Sequence, residues 1–174
     1  MNIPNNVFEI ARGVALLLMD CDGVLTDGRL FFTDKGELMK AFHVRDGQGI
    51  QLWHAAGFSS GIISGRDSGG IIRARAEELG IRYLHAGSRD KVLDFEMIIS
   101  DAGLEPSQVA YIGDDVGDLG LMSIVGLPVA VGDALPSVKA EARYVTSADG
   151  GNGAVRELCE LLLAAKSAKS IHIA

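Results

Sequence analysis

The sequence predicts a three-layer α/β fold, a parallel sheet covered on both faces by helices. Short apolar runs of strand length alternate with stretches of helical period from one end to the other. The run 14–19 is wholly apolar, as suits a central strand buried on both faces. Polar clusters at Asp20/Asp22, Ser64-Gly65-Arg66, Lys91 and Asp114/Asp115/Asp118 sit at the ends of successive strands, where open α/β sheets gather ligands.

In chain order, 5–12 suits a short helix leading into a first strand at 14–20. Side chains alternate along a strand, so Asp20 and Asp22 project the same way while Cys21 points aside. Two acids aimed at one point, beside glycines that admit close backbone, suit phosphate and metal. Asp-x-Asp-Gly alone would equally suit a polar turn. Two β-prone runs around Asp34-Lys35-Gly36 read as a hairpin over about 29–43. Its apolar residues (Leu30, Phe31, Phe32, Leu38, Met39, Phe42) are many for a ribbon that is not stable alone. They are expected to pack on the domain or on a neighbouring subunit.

Asp46 reads as the N-cap of the next helix, which carries Ile50, Trp53 and Ala56 at helical spacing. A second core strand at 58–63 ends in Ser64-Gly65-Arg66-Asp67, and a helix over 68–79 closes at Gly80. A short strand follows at 82–85, then a helix over 90–101 with Val92, Phe95 and Ile99 on one face. The strand at 109–112 ends in Gly113-Asp114-Asp115-Val116-Gly117-Asp118, and strands near 128–131 and 143–146 each follow a short helical piece. The last helix, 153–165, shows Val155, Leu158, Cys159 and Leu162 at i, i+3, i+4 and i+7. The tail 166–174 has no core periodicity and reads as flexible. Nothing divides 1–174 into more than one domain.

Composition narrows the function. The 174 residues are enough for a sizeable core, and 48% hydrophobic residues with a mean hydropathy of +0.23 exclude a disordered chain. A net charge of −7 and a pI of about 5.0 argue against nucleic acid or an anionic membrane as main partner. A local cluster of cations and a metal can still hold a small anionic substrate. Cys21 and Cys159 form no disulfide framework, and the carboxylates beside Cys21 oppose a thiolate there. The N-terminus lacks a basic region before its apolar run and nothing reaches transmembrane length, so a cytoplasmic location is expected.

The strand-end clusters form a coherent phosphoryl-transfer set. An aspartate can attack phosphorus and become an aspartyl-phosphate. Carboxylate-held Mg²⁺ offsets the repulsion between that nucleophile and a phosphate dianion. A hydroxyl and an ammonium can bind the remaining phosphoryl oxygens, and a second carboxyl can protonate the leaving oxygen.

Asp20-Cys21-Asp22-Gly23-Val24-Leu25-Thr26, then Ser64, Lys91 and Gly113-Asp114-Asp115-x-x-Asp118, resemble the four motifs of the haloacid dehalogenase-like phosphatases in order and spacing. The resemblance implies a Rossmann-like sheet. It implies Asp20 as nucleophile, Asp22 as general acid/base, and Ser64 and Lys91 as holders of the phosphoryl group. Asp20, the backbone carbonyl of Asp22 and Asp114 would ligate Mg²⁺. Asp115 and Asp118 would support, one of them pairing with Lys91. Neither interval between motifs has room for a large cap, so a capless member is implied, closed by a neighbour; the apolar hairpin suits a homotetramer.

The segments 41–49, Ser64-Gly65-Arg66, Tyr144-Val145-Thr146 and 150–157 further resemble the 3-deoxy-D-manno-octulosonate 8-phosphate phosphatases over nearly the whole chain. That implies a phosphorylated sugar acid on the way to lipopolysaccharide as substrate. Arg45, Gly65 and Arg66 become candidates for substrate binding, the arginines because a planar fork suits carboxylate or phosphate. His85, at a strand end near the active edge, is a further pocket candidate. Asn152 departs from the pattern, where those enzymes often carry arginine, and opens the way to a nine-carbon N-acylneuraminate or KDN 9-phosphate. A signalling receiver domain would carry its acidic pair and lone Asp in the reverse order. A non-catalytic subunit of this fold would usually lack a nucleophile or metal residue, and none is missing here.

Overall fold

The computed structural model describes residues 5–167. Helix α1 (Asn5–Gly13) leads into β1 (Leu16–Met19), whose four residues are all buried, as a strand covered on both faces requires. The hairpin strands β2 (Phe31–Thr33) and β3 (Gly36–Met39) follow, then α2 (Val44–Ala55) and β4 (Ser59–Ser64). Next come α3 (Ile71–Leu79), β5 (Tyr83–Ala86), α4 (Lys91–Ala102) and β6 (Val109–Gly113). The chain continues through α5 (Leu119–Met122), β7 (Leu127–Ala130), α6 (Pro136–Glu141), β8 (Tyr144–Val145) and α7 (Ala154–Ser167).

Six strands form one parallel sheet in the order β5-β4-β1-β6-β7-β8. Met19 lies level with Ile62 on one side and Ile112 on the other, and Ile62 with Leu84. The carboxyl ends of these strands therefore come out along one edge, and Asp20, Ser64 and Asp114 emerge together. Helix α7 packs on α1 and α2, while α4, α5 and α6 form a second group. Trp53 anchors the core beneath α2: its indole N–H donates to the Ser59 carbonyl at 2.8 Å and its ring stacks on Phe58. His54 on α2 lies with its Nε2 at 2.8 Å from the Ser60 hydroxyl.

Between β1 and β4 lie only the hairpin and α2, and between β4 and β6 only α3, β5, α4 and two short 3₁₀ turns, so no cap domain covers the edge. The hairpin is a separate two-stranded sheet. Leu30, Phe31, Phe32, Leu38 and Met39 are exposed on it, Phe32 at 61% and Leu38 at 63%, and only Phe42 of the apolar set packs against the core. Of the two coverings expected for this ribbon, the chain's own domain is not the one.

Three local expectations change. Helix α2 starts at Val44 with His43 as its cap, Nδ1 accepting the Arg45 N–H. Asp46 is instead buried in the first turn and accepts the N–H groups of Gly153 (3.2 Å) and Arg156 (2.8 Å). A helix start must find partners for its free N–H groups, and Gly153 before α7 has no side chain to offer, so Asp46 caps α7 from across the interface. On α4 the buried residues are Phe95 and Ile98, with Val92 and Ile99 at the margins. Helix α7 runs through Ser167, beyond the expected start of the tail; Lys166 donates to the Arg12 carbonyl and sits over the Phe58 ring. The rest of the tail, His172 included, lies outside the described residues.

Candidate active site

Asp20 lies just past β1, where its N–H donates to the Ile112 carbonyl at 3.1 Å and its Oδ1 accepts the Cys21 N–H at 2.7 Å. The turn that follows is tight: the Cys21 carbonyl accepts from Val24, Leu25 and Thr26. Gly23 has φ +84°, and a Cβ there would lie 2.1 Å from Asp114 Oδ2. Only glycine lets the carboxylate of Asp114 come in from β6 so closely. The loop 150–153 braces the turn from outside. Gly151 donates to the Val24 carbonyl at 2.9 Å, and its missing side chain makes room for the backbone of Thr26 and Asp27.

Lys91 opens α4, whose first turn is capped by the Asp90 carboxylate. Its ammonium reaches back to the sheet edge, 3.0 Å from Asp20 Oδ2 and 2.7 Å from Asp118 Oδ1. Asp118 is fully buried and all its acceptor capacity is used: Oδ1 also takes the Tyr111 hydroxyl at 2.5 Å, and Oδ2 takes the N–H groups of Asp114 and Asp115. Asp118, not Asp115, is thus the partner of Lys91. Asp115 is exposed and caps its own 3₁₀ turn through the Val116 N–H. Ser64 is buried at the end of β4, its hydroxyl bonded to the Arg66 backbone. A cavity of about 210 Å³ is bounded by Asp20, Asp22, Ser64, Gly65, Arg66, Lys91, Asp114, Asp115, Gly117 and Asp118.

The acids are perturbed by being crowded and dry. Burial lifts Asp20 to a pKa of about 6 against the pull of Lys91 and with a push from Asp118. Burial, then the charges of Asp20, Asp118 and Asp115, lifts Asp114 to about 7. Burial works against the charge of Lys91, yet Asp20 and Asp118 outweigh it and raise its pKa. Burial first, then the nearby Asp22 charge, drives the Cys21 thiol far up, which removes it as a nucleophile.

Carboxylate oxygens of Asp20, Asp114 and Asp118 lie within 4.8 Å of one another. Asp118 is saturated by its own donors, whereas Asp114 Oδ1 is buried with no hydrogen-bond partner among the described residues. Two hard carboxylates with raised pKa values and one orphaned oxygen fit a magnesium-type cation.

The remaining candidates divide. Arg66 borders the cavity, but Arg45 lies elsewhere, in a larger cavity with Gln48, Asn152 and Arg156 between the starts of α2 and α7. His85 bonds Asp94 at 2.9 Å and borders a third cavity with Arg73, Ser88 and Arg89, because β5 is the edge strand and its end lies beside α4. Three participants were missed. Tyr111 holds Asp118 from within β6. Lys40 and Glu37, both on the hairpin, form an ion pair at 2.8 Å, and Lys40 also bonds Asp22 Oδ1. Burial opposes the charge of Lys40, but these two carboxylates hold its pKa above the usual lysine value. Their only sequence signal was two opposite charges three residues apart, in a ribbon that also carries Arg29, Asp34 and Lys35.

Comparison with known proteins agrees with this geometry. Residues 54–158 match the model of the haloacid dehalogenase-like hydrolase family. The 3-deoxy-D-manno-octulosonate 8-phosphate phosphatase KdsC of Escherichia coli (strain K12) is 42% identical over 164 residues, 94% of this chain and 87% of the relative. The crystal structure of the Yersinia pestis enzyme of that name matches with a TM-score of 0.90 at 42% identity, over 93% of this chain and 87% of that one. The Moraxella catarrhalis enzyme, solved with magnesium, phosphate and KDO, matches with a TM-score of 0.89 at 39% identity, over 93% of this chain and 92% of that one. The chain belongs to the haloacid dehalogenase-like hydrolases, within the family of 3-deoxy-D-manno-octulosonate 8-phosphate phosphatases.

Proposed function

We propose that this chain is a Mg²⁺-dependent phosphatase that hydrolyses 3-deoxy-D-manno-octulosonate 8-phosphate to the free sugar acid and phosphate. Beyond the family match, the observation that carries the mechanism is Asp20 held against Lys91 beside the orphaned oxygen of Asp114. Asp20, the Asp22 carbonyl and Asp114 would hold Mg²⁺, which when bound offsets phosphate charge and orients the phosphoryl group.

Asp20 attacks phosphorus as the ester P–O bond breaks, and Asp22 gives a proton to the departing sugar oxygen. Lys91 and the Ser64 hydroxyl hold the phosphoryl oxygens, while Asp118 and Tyr111 fix Lys91 in place. Water then attacks phosphorus, its proton passes to Asp22, and Asp20 is released unchanged. Gly65 leaves the approach beside Ser64 open, and Arg66 offers its guanidinium to the substrate's anionic end. Arg45 and His85 act on substrate only if a neighbouring subunit brings their cavities to the site. We read residues 1–174 as one capless domain, working in the cytoplasm as a homotetramer joined through the exposed hairpins. Among the described residues no helix is long and apolar enough to cross a membrane.

Asn152 keeps a nine-carbon acid phosphate in view as second substrate. It borders the Arg45 cavity and not the carboxylate cavity, which favours the eight-carbon acid. Phosphate release with Mg²⁺, compared between 3-deoxy-D-manno-octulosonate 8-phosphate, N-acylneuraminate 9-phosphate and an aryl phosphate, decides. A large kcat/KM advantage for the first supports the proposal. Preference for the second keeps the mechanism and changes the pathway, and no turnover of any of the three would mean a non-catalytic subunit.

A further inference from the structure

We propose that Lys40 is a positioning residue: by taking Asp22 Oδ1 it fixes Oδ2 as the oxygen that Asp22 presents to the reacting group. The proposal rests on the reading of Asp22 as the proton-transfer residue.

The side chain of Lys40 has no exposed surface, a rare condition for lysine that demands paired charge. Its ammonium joins Asp22 Oδ1 and Glu37 Oε1. From the other side Arg66 faces the same two carboxylates, with Nη2 at 3.3 Å from Glu37 Oε2 and Nε at 3.7 Å from Asp22 Oδ2. The four groups close a ring of alternating charge that ties the hairpin to the turn after β1.

One link of that ring is longer than the others. Asp22 Oδ2 and Arg66 Nε are both buried, both lack a hydrogen-bond partner among the described residues, and their separation is too long for a hydrogen bond. Buried polar atoms left in this state are costly, and these two belong to residues that border the cavity where a substrate group would be received. An aspartate free to turn would offer either oxygen. With Oδ1 held by Lys40, Oδ2 is left as the unpartnered oxygen of Asp22, facing Arg66, and both residues border the cavity. Stability alone is a weak reason for such a network, since a packed apolar pair often serves as well.

The test uses the full chain with Mg²⁺ and two substrates without a sugar, phenyl phosphate and 4-nitrophenyl phosphate. A misplaced proton donor slows the poor leaving group more than the good one, which departs with little help. Lys40→Met, which keeps the unbranched stem, is expected to lose at least ~10-fold more kcat/KM on phenyl phosphate than on 4-nitrophenyl phosphate. Glu37→Gln loosens the ring but spares the Lys40–Asp22 pair, so its ratio should stay as in the parent. Equal losses on both substrates for Lys40→Met would overturn the proposal and leave Lys40 a structural clip. Asp22→Asn must itself show the leaving-group dependence; a flat response there overturns the proton-transfer reading and this proposal together. Thermal unfolding checks each variant, and if Lys40→Met fails to fold, Lys40→Ala, which likewise offers Asp22 no donor, carries the same test.

Discussion

Lys91 lies closer to Asp118, at 2.7 Å, than to Asp20, at 3.0 Å. The residue that steadies the lysine is thus not Asp20 but a buried acid whose other oxygen holds the backbone of Asp114 and Asp115. Asp118→Asn keeps the shape but turns an amide N–H₂ toward one set of donors. The expected result is a fall in kcat of about 10²-fold and a loss of about 1–3 kcal/mol in urea unfolding. The relief of repulsion with Asp20 and Asp114 keeps the stability loss from being larger. Unchanged kcat would remove Asp118 from the organisation of Lys91.

Asp20→Asn is predicted to abolish turnover with the fold intact. Acid quenching of the parent during turnover should trap a labile protein-bound phosphate that the variant never forms. Ordinary phosphate release by the variant would sink the aspartyl-phosphate mechanism.

Asp20 and Asp114 have folded-state pKa values raised to about 6 and about 7. A raised carboxyl pKa favours the folded state while the group stays protonated, and that contribution is lost as pH climbs through the folded value. The chelator-treated protein should therefore lose stability between roughly pH 4 and 7. Added Mg²⁺ should raise the melting temperature more at pH 7.5 than at pH 5. A chelated protein with flat stability over this window would contradict the electrostatic account of the acid cluster.

Asp46→Ala removes the acceptor for two N–H groups at the start of α7. A loss of about 1–2 kcal/mol is expected from denaturant unfolding, the size of a lost helix cap. A value near zero would mean that water replaces the carboxylate without cost.

Phe32→Asp places a charge on the most exposed aromatic of the hairpin. If the hairpins join the proposed homotetramer, sedimentation should shift toward smaller species as the charge resists burial between subunits. A variant that stays tetrameric would move the subunit contact away from the hairpin.

The clustering at the sheet edge was legible in the sequence because each of its residues had a backbone reason to be there. Asp20, Ser64 and Asp114 follow buried strands, and Lys91 opens a helix, so element order alone brings them level. Lys40, Glu37 and Tyr111 had no such reason. Their roles depend on side chains reaching across 18, 29 and 20 residues of intervening chain, to Asp22, Arg66 and Lys91. Asp46 shows the same limit, since its place before an apolar run suited its own helix while its bonds go to residues 107 and 110 positions later. His85 sits at a strand end like the others, but that strand is the outermost, a fact of sheet order that no spacing reports.

The glycine loop before α7 has a consequence for synthesis. Gly151 donates to Val24 and makes room for Thr26, so the turn bearing Asp22 is braced by chain synthesised long after it. A chain emerging from the ribosome carries its aspartates early and gains their final support late. A fragment that stops before Gly150 would lack this brace and is expected to be slow toward phosphate esters.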